Sequence, residues 1–220
     1  IQAMKVRVVS VVAMLALALC LALAAQKRTG APMVQIAGQK VDIQPPVVPK
    51  LLQRCENWAV AADLEALLAA QQVPLPQRYW VVKGDMGEVC RDNPIDFVKL
   101  RKMVEGEYVL ESGAKVRLAL LATEGAPTVP DAVIAELKRE HPAILFWKNR
   151  AYLLLGVTYD EYVYPNGQRM FEIREMRLRD PYLSAAAQPV TFVKGRDDAA
   201  EIGGIVQVKV EKIEAMPWQR

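Results

Sequence analysis

The stretch Leu51-Leu52-Gln53-Arg54-Cys55-Glu56-Asn57-Trp58-Ala59-Val60-Ala61 sets a Gln, a Cys and a Trp-Ala step at the start of an apolar helix that runs to about Ala70. Val60, Leu64, Leu67 and Leu68 recur at helical spacing with Ala61 beside them, and Asp63 and Glu65 fall off that face. The small Ala residues permit close approach by a packed sheet. A Cys at a helix N-terminus sits where the helix dipole favours its thiolate, and a nearby Gln side chain can donate to an oxyanion. The residue directly before Trp58, however, is Asn57, a good N-cap, and not a Cys.

Outward from this stretch, the N-terminus gives the clearest organisation. Lys5 and Arg7 precede an uncharged apolar run over 8–25 that ends in small residues. The pattern reads as a secretory signal or a retained anchor, with Met4 as the true start. Its length is at the short end of the roughly 17–25 residues that span a bilayer. The basic flank predicts that the body of the chain lies outside the cytoplasm, periplasmic or secreted. Residues 26–50, ending Gln44-Pro45-Pro46-Val47-Val48-Pro49-Lys50, read as a Pro-rich tether, with 41–43 able to add a short edge strand. Removing the signal removes Cys20 and leaves Cys55 and Cys90, which an exported chain most simply joins as one disulfide. A paired Cys55 is no nucleophile.

The chain has 220 residues, 52% of them hydrophobic, and a net charge of +3, enough for one domain with a real core and no basic run of nucleic-acid type. After Pro74 and Pro76, residues 79–83 read as a short strand. Asp92-Asn93-Pro94 opens a helix running through Val104, with Pro in its first turn. Residues 108–121 read as extended with a turn at Glu111-Ser112-Gly113, 123–128 as a loop, and 130–140 as a third helix. Strands follow at 143–147, 151–157 and 170–178, the last two joined by the hairpin signal Tyr164-Pro165-Asn166-Gly167. Two further strands are expected at 190–194 and 205–213. Helices first and strands later predict an α+β domain. The expected division is a signal or anchor at 1–25, the tether at 26–50, the main domain at 51–183 and a C-terminal strand extension at 184–220. No zinc-type Cys/His cluster, phosphate loop or calcium loop is present, so neither a metal nor a cofactor is expected. Asp160 and Glu161 read as a solvated hairpin end.

The order of these pieces resembles the bacterial papain-like cysteine peptidases, notably the double-glycine leader peptidases and their relatives. The pieces are Gln53, Cys55 or Asn57, Trp58-Ala59, the strand 143–147, Asn149-Arg150 leading into 151–156, Tyr159-Asp160 and Arg179-Asp180-Pro181. The resemblance implies a papain-like fold, an N-terminal helical part packed on a C-terminal antiparallel sheet. Papain is also similar in carrying a disulfide from just before its nucleophile helix to a later loop. The family's His position falls on Arg150 when counted from Gly156, and on Tyr152 when counted from Tyr159-Asp160. Neither side chain can take a thiol proton as an imidazole does. The chain's one His, His141, precedes Pro142 at a helix end, where a residue tolerant of left-handed backbone is common. Asp180 falls at the third triad position, or caps a turn before Pro181.

The favoured expectation is an exported, membrane-tethered pseudoenzyme. It would bind a peptide or protein partner, or serve as an accessory subunit of a membrane complex, with no nucleic acid. The rival is an active thiol peptidase using Cys55 with His141, Gln53 and Asp180. A third reading is a structural exported α+β domain.

Overall fold

The computed structural model describes residues 32–44, 58–86, 96–127, 130–181 and 190–213. The signal or anchor at 1–25, Gln53, Cys55, Asn57 and Cys90 therefore lie outside the described residues, and with them the disulfide. The chain divides into a larger unit, Gln35–Glu161 with Met170–Arg220, and a smaller one, Ile1–Val34 with Tyr162–Arg169. Among the described residues of the smaller unit is the hairpin turn. There Gly167 N–H donates to Tyr164 O at 2.9 Å, Tyr164 N–H to Gln168 O at 2.9 Å and Gln168 N–H to Asn166 Oδ1 at 2.9 Å.

The fold is α+β. Eight strands form one sheet: β1 (Val34–Asp42), β2 (Gly106–Val109), β3 (Lys115–Glu124), β4 (Ala143–Trp147), β5 (Arg150–Val163), β6 (Arg169–Arg179), β7 (Val190–Val193) and β8 (Ile202–Ile213). Their order is β2-β3-β8-β4-β5-β6-β7, with β1 paired to β5. The registered pairs β2–β3, β3–β8, β4–β8, β4–β5 and β6–β7 are all antiparallel. The described helices are α1 (Ala59–Ala70), α2 (Gln77–Lys83), α3 (Phe97–Val104) and α4 (Pro130–Leu137).

Alternation along the strands feeds two cores. Ile144 and Phe146 of β4, Ala151 and Leu153 of β5, and Val206 and Val208 of β8 join α1, α2 and α3 on one face. Ala143, Leu145 and Trp147, with Tyr152, Leu154 and Ile205, join α4 on the other. The residues expected as a C-terminal extension thus supply β8, a central strand between β3 and β4.

Several local expectations are corrected. Residues 79–83 form α2 and not a strand, although Tyr79, Trp80, Val81 and Val82 favour extended chain. Glu65 supplies the helix start by accepting Gln77 N–H at 3.0 Å, and Trp80 is fully buried, so tertiary packing overrides propensity. Asp96 has extended backbone and caps α3, its Oδ1 accepting Val98 N–H at 2.9 Å and Lys99 N–H at 3.0 Å. The described helix therefore starts at Phe97, and the expected start Asp92-Asn93-Pro94 lies outside the described residues. Strand β3 continues to Glu124, into the expected loop, because β8 pairs with it as far as Gly204. Part of the expected tether is β1.

Asp160 is no solvated hairpin end, being 6% exposed. It accepts from Gly38 N–H at 2.9 Å, Arg174 Nε at 2.8 Å and Gln35 Nε2 at 3.2 Å, and so fastens β1 to the sheet. Arg177 fastens it a second time, through the Asp42 carboxylate and Val41 O. Close approach is possible because Gly156 has no side chain: a Cβ there would overlap Asp42 Oδ1 and sit 2.7 Å from Val41 O. Gly156→Val should lower stability by about 1–3 kcal/mol, an overpacking cost. Hydrogen exchange should show the loss of protection concentrated in residues 34–42.

Candidate functional site

Strands β4 and β5 are joined by Lys148 and Asn149, with φ of 52° and 59°. Paired positive φ values suit a two-residue loop whose twist matches the flanking strands. The loop sets Arg150 opposite Trp147 as the first residue of β5. Asp180 follows β6. These two side chains meet, Arg150 Nη2 lying 3.0 Å from Asp180 Oδ2. The Asp180 side chain is 8% exposed and that of Arg150 41%.

An aromatic wall backs the pair. The Arg150 guanidinium carbon is 5.8 Å from the centre of the Tyr152 ring. Trp147 packs on Tyr152 at 6.1 Å and edge-on to Phe192 at 5.6 Å. Burial pushes the Tyr152 phenol up, and the neighbouring Arg150 charge opposes that shift. Both positions that the resemblance gives for a His, Arg150 and Tyr152, are thus in contact, with Asp180 alongside.

His141 is elsewhere. Helix α4 ends with Glu140 at φ 64°, Glu140 N–H donating to Leu137 O and His141 N–H to Glu136 O. This is a Schellman closure in which Glu140, not His141, takes the left-handed conformation. The imidazole Nδ1 is 2.9 Å from Glu136 Oε2. Strand β4 runs from Ala143 beside this cap to Trp147 beside Arg150, a length of roughly 13 Å. His141 and Asp180 therefore flank opposite ends of that strand, while Cys55 and Gln53, which the rival peptidase reading joins to them, lie outside the described residues.

Asp63, off the leucine face in the sequence, is nevertheless only 2% exposed. Helix α1 is buried at Ala59, Ala61, Ala62, Asp63, Leu64, Ala66, Leu67 and Leu68, so it has no broad polar side. The i, i+4 stripe Ala59-Asp63-Leu67 was the available signal. Asp63 Oδ2 has no hydrogen-bond partner among the described residues. Burial holds its carboxyl well above the ordinary carboxylate range; the Asp180 charge adds to the shift and Arg179 opposes it. Burial is thus the main cause of the Asp63 shift, with the Asp180 charge a lesser one.

No protein-family model matches this chain, and no curated protein or solved structure matches it either. Among the described residues no three His, Cys, Asp or Glu groups are disposed to hold a metal ion, and no helix is long and apolar enough to cross a membrane.

Removing Arg150 deprives a nearly buried carboxylate of its guanidinium. Arg150→Ala should cost about 1–3 kcal/mol, less than a fully buried pair because Arg150 is partly solvated. A double-mutant cycle with Asp180→Asn should show coupling. For Asp63 the folded value lies above the unfolded value of about 3.9, so the folded state holds the proton more tightly. Its contribution is intact below about pH 4 and is lost as pH rises, at up to ~1.4 kcal/mol per pH unit. Asp63→Asn should match the wild type near pH 4 and exceed it at pH 7 in denaturant melts. Parallel stability curves between those values would show that the folded carboxyl ionises as readily as the unfolded one, and so is not held protonated by burial.

Proposed function

We propose that this chain is an exported, membrane-tethered papain-like domain without a complete catalytic dyad. It works as a peptide- or partner-binding accessory subunit. The observation that carries the reading is the 3.0 Å ion pair between Arg150 and Asp180. The family resemblance gives these positions to the base and to the acid that orients it. A guanidinium stays charged at any working pH and cannot accept the thiol proton. The single imidazole is held by Glu136 at the far end of β4, which supports the same conclusion. The packing of α1 against Ile144, Phe146 and Ala151 suits a first helix seated on a later sheet.

In this reading the ion pair replaces proton-transfer chemistry with a fixed cation beside an aromatic wall. Such a surface can hold a peptide carboxylate or carbonyl without cleaving the chain. Export and tethering rest on the basic-then-apolar run ahead of residue 26.

A thiol-directed peptidase probe should leave Cys55 of the wild type unlabelled, and wild type and Cys55→Ala should hydrolyse an unstructured protein substrate at the same background rate. Selective labelling of Cys55, with hydrolysis lost in Cys55→Ala, would restore the peptidase reading. The unreduced, denatured protein lacking residues 1–25 should show no free thiol. Two free thiols would remove the Cys55–Cys90 disulfide.

A further inference from the structure

A second surface lies at the edge of β3. Strand β2 covers β3 only as far as the pair Gly106–Leu118, whereas β8 stays paired on the other side as far as Glu124. Residues 119–124, Ala-Leu-Leu-Ala-Thr-Glu, thus have a strand on one side and none of the described strands on the other. The edge lacks the proline, lysine or bulge that usually blunts such a row of backbone groups. Leu121 on it is 54% exposed.

The outward backbone groups can be assigned. Leu120 N–H takes Glu105 Oε1 at 3.3 Å, and Glu105 immediately precedes β2, so this N–H points to the open side. Strand periodicity gives Ala122 N–H the same direction. A cleft of about 330 Å³ opens beside this edge, lined by Leu120, Leu121, Pro127, Val133 and Ile205, with Arg101 and Gln207 at its polar part. Its volume is within the range of small-ligand pockets, and one or two aliphatic side chains fill such a space. Gln207 Nε2 is buried without a hydrogen-bond partner among the described residues.

Glu105 displays the chemistry that the edge accepts. One carboxylate oxygen serves Leu120 N–H and also lies 3.6 Å from Arg101 Nη1. Both contacts are long and the ion pair is solvated, and both can be taken over by an incoming chain: a backbone carbonyl for the N–H and a side-chain carboxylate for the guanidinium. We propose that the β3 edge at 119–124 binds an extended peptide segment bearing an acidic side chain, added to the sheet as a further strand. Main-chain bonds to Leu120 and Ala122 supply the pairing, and the cleft and Arg101 supply the choice of sequence. The surface is three strand spacings, about 14 Å, from β5 and Arg150, so it is independent of the reading given above.

The probes are two fluorescent octapeptides of alternating valine and threonine, one with a central glutamate and one with lysine there. Anisotropy with the full chain should show saturable binding of the glutamate peptide and at least fivefold weaker binding of the lysine peptide. Glu105→Ala removes the internal competitor and should tighten the glutamate peptide at least threefold. Arg101→Glu should invert the preference. Ala122→Pro removes an outward donor, which an edge strand tolerates, and should weaken binding at least tenfold. Failure of the glutamate peptide to bind, equal binding of both, or indifference to Ala122→Pro would overturn the proposal. So would a concentration-dependent dimer abolished by Ala122→Pro, which would assign the edge to a second copy of the chain.

Discussion

Strand β4 is the constraint on which the rest depends. All five of its residues are buried. It is hydrogen-bonded to β5 on one side and β8 on the other, and it sends Ile144 and Phe146 to one core and Ala143, Leu145 and Trp147 to the other. A one-residue slip would exchange the two sets of side chains between cores of different shape. The tight Lys148-Asn149 turn fixes the register against β5, and that register places Arg150. The site's geometry is thus set by backbone pairing and not by a flexible loop.

That pairing gives the Arg150–Asp180 contact its character. An ion pair at the exposed end of a sheet would be worth little, because water and salt screen it. Here the carboxylate is nearly buried and the aromatic rings of Trp147, Tyr152 and Phe192 limit water on one side. Asp63 lies within electrostatic reach of Asp180, yet its own charge is suppressed by burial. A charged Asp63 would add a second negative group near Asp180; a protonated one leaves Arg150 and Asp180 balanced.

Local chemistry was legible in the sequence and long-range pairing was not. The succession of β4, β5 and β6 follows from period, apolar runs and turn residues, and the Tyr164–Gly167 turn from its Pro-Asn-Gly. Helix α1 follows from its leucine spacing. Helix α2 was misread because Trp80 and its neighbours suit a strand in isolation, while the Glu65 carboxylate and the buried Trp80 ring decide otherwise. The burial of Asp63 was not legible because a helix covered on most sides gives no polar face to read. Of the site, Arg150 and Asp180 were named from the resemblance, but their contact needs three-dimensional placement. The Gln53, Cys55, Asn57 and Cys90 expectations lie outside the described residues.

The central position of β8 has a consequence for biosynthesis. Until residues 202–213 leave the ribosome, β3 and β4 each lack a neighbour and both cores lack a wall. The ladder joining β8 to β3 spans close to ninety positions of sequence, so its closure entropy is incurred late and at once. A nascent chain stalled before Ile202 would therefore present two unpaired β edges to chaperones, and a chain threaded through a membrane pore would stay unfolded until residues 202–213 had crossed.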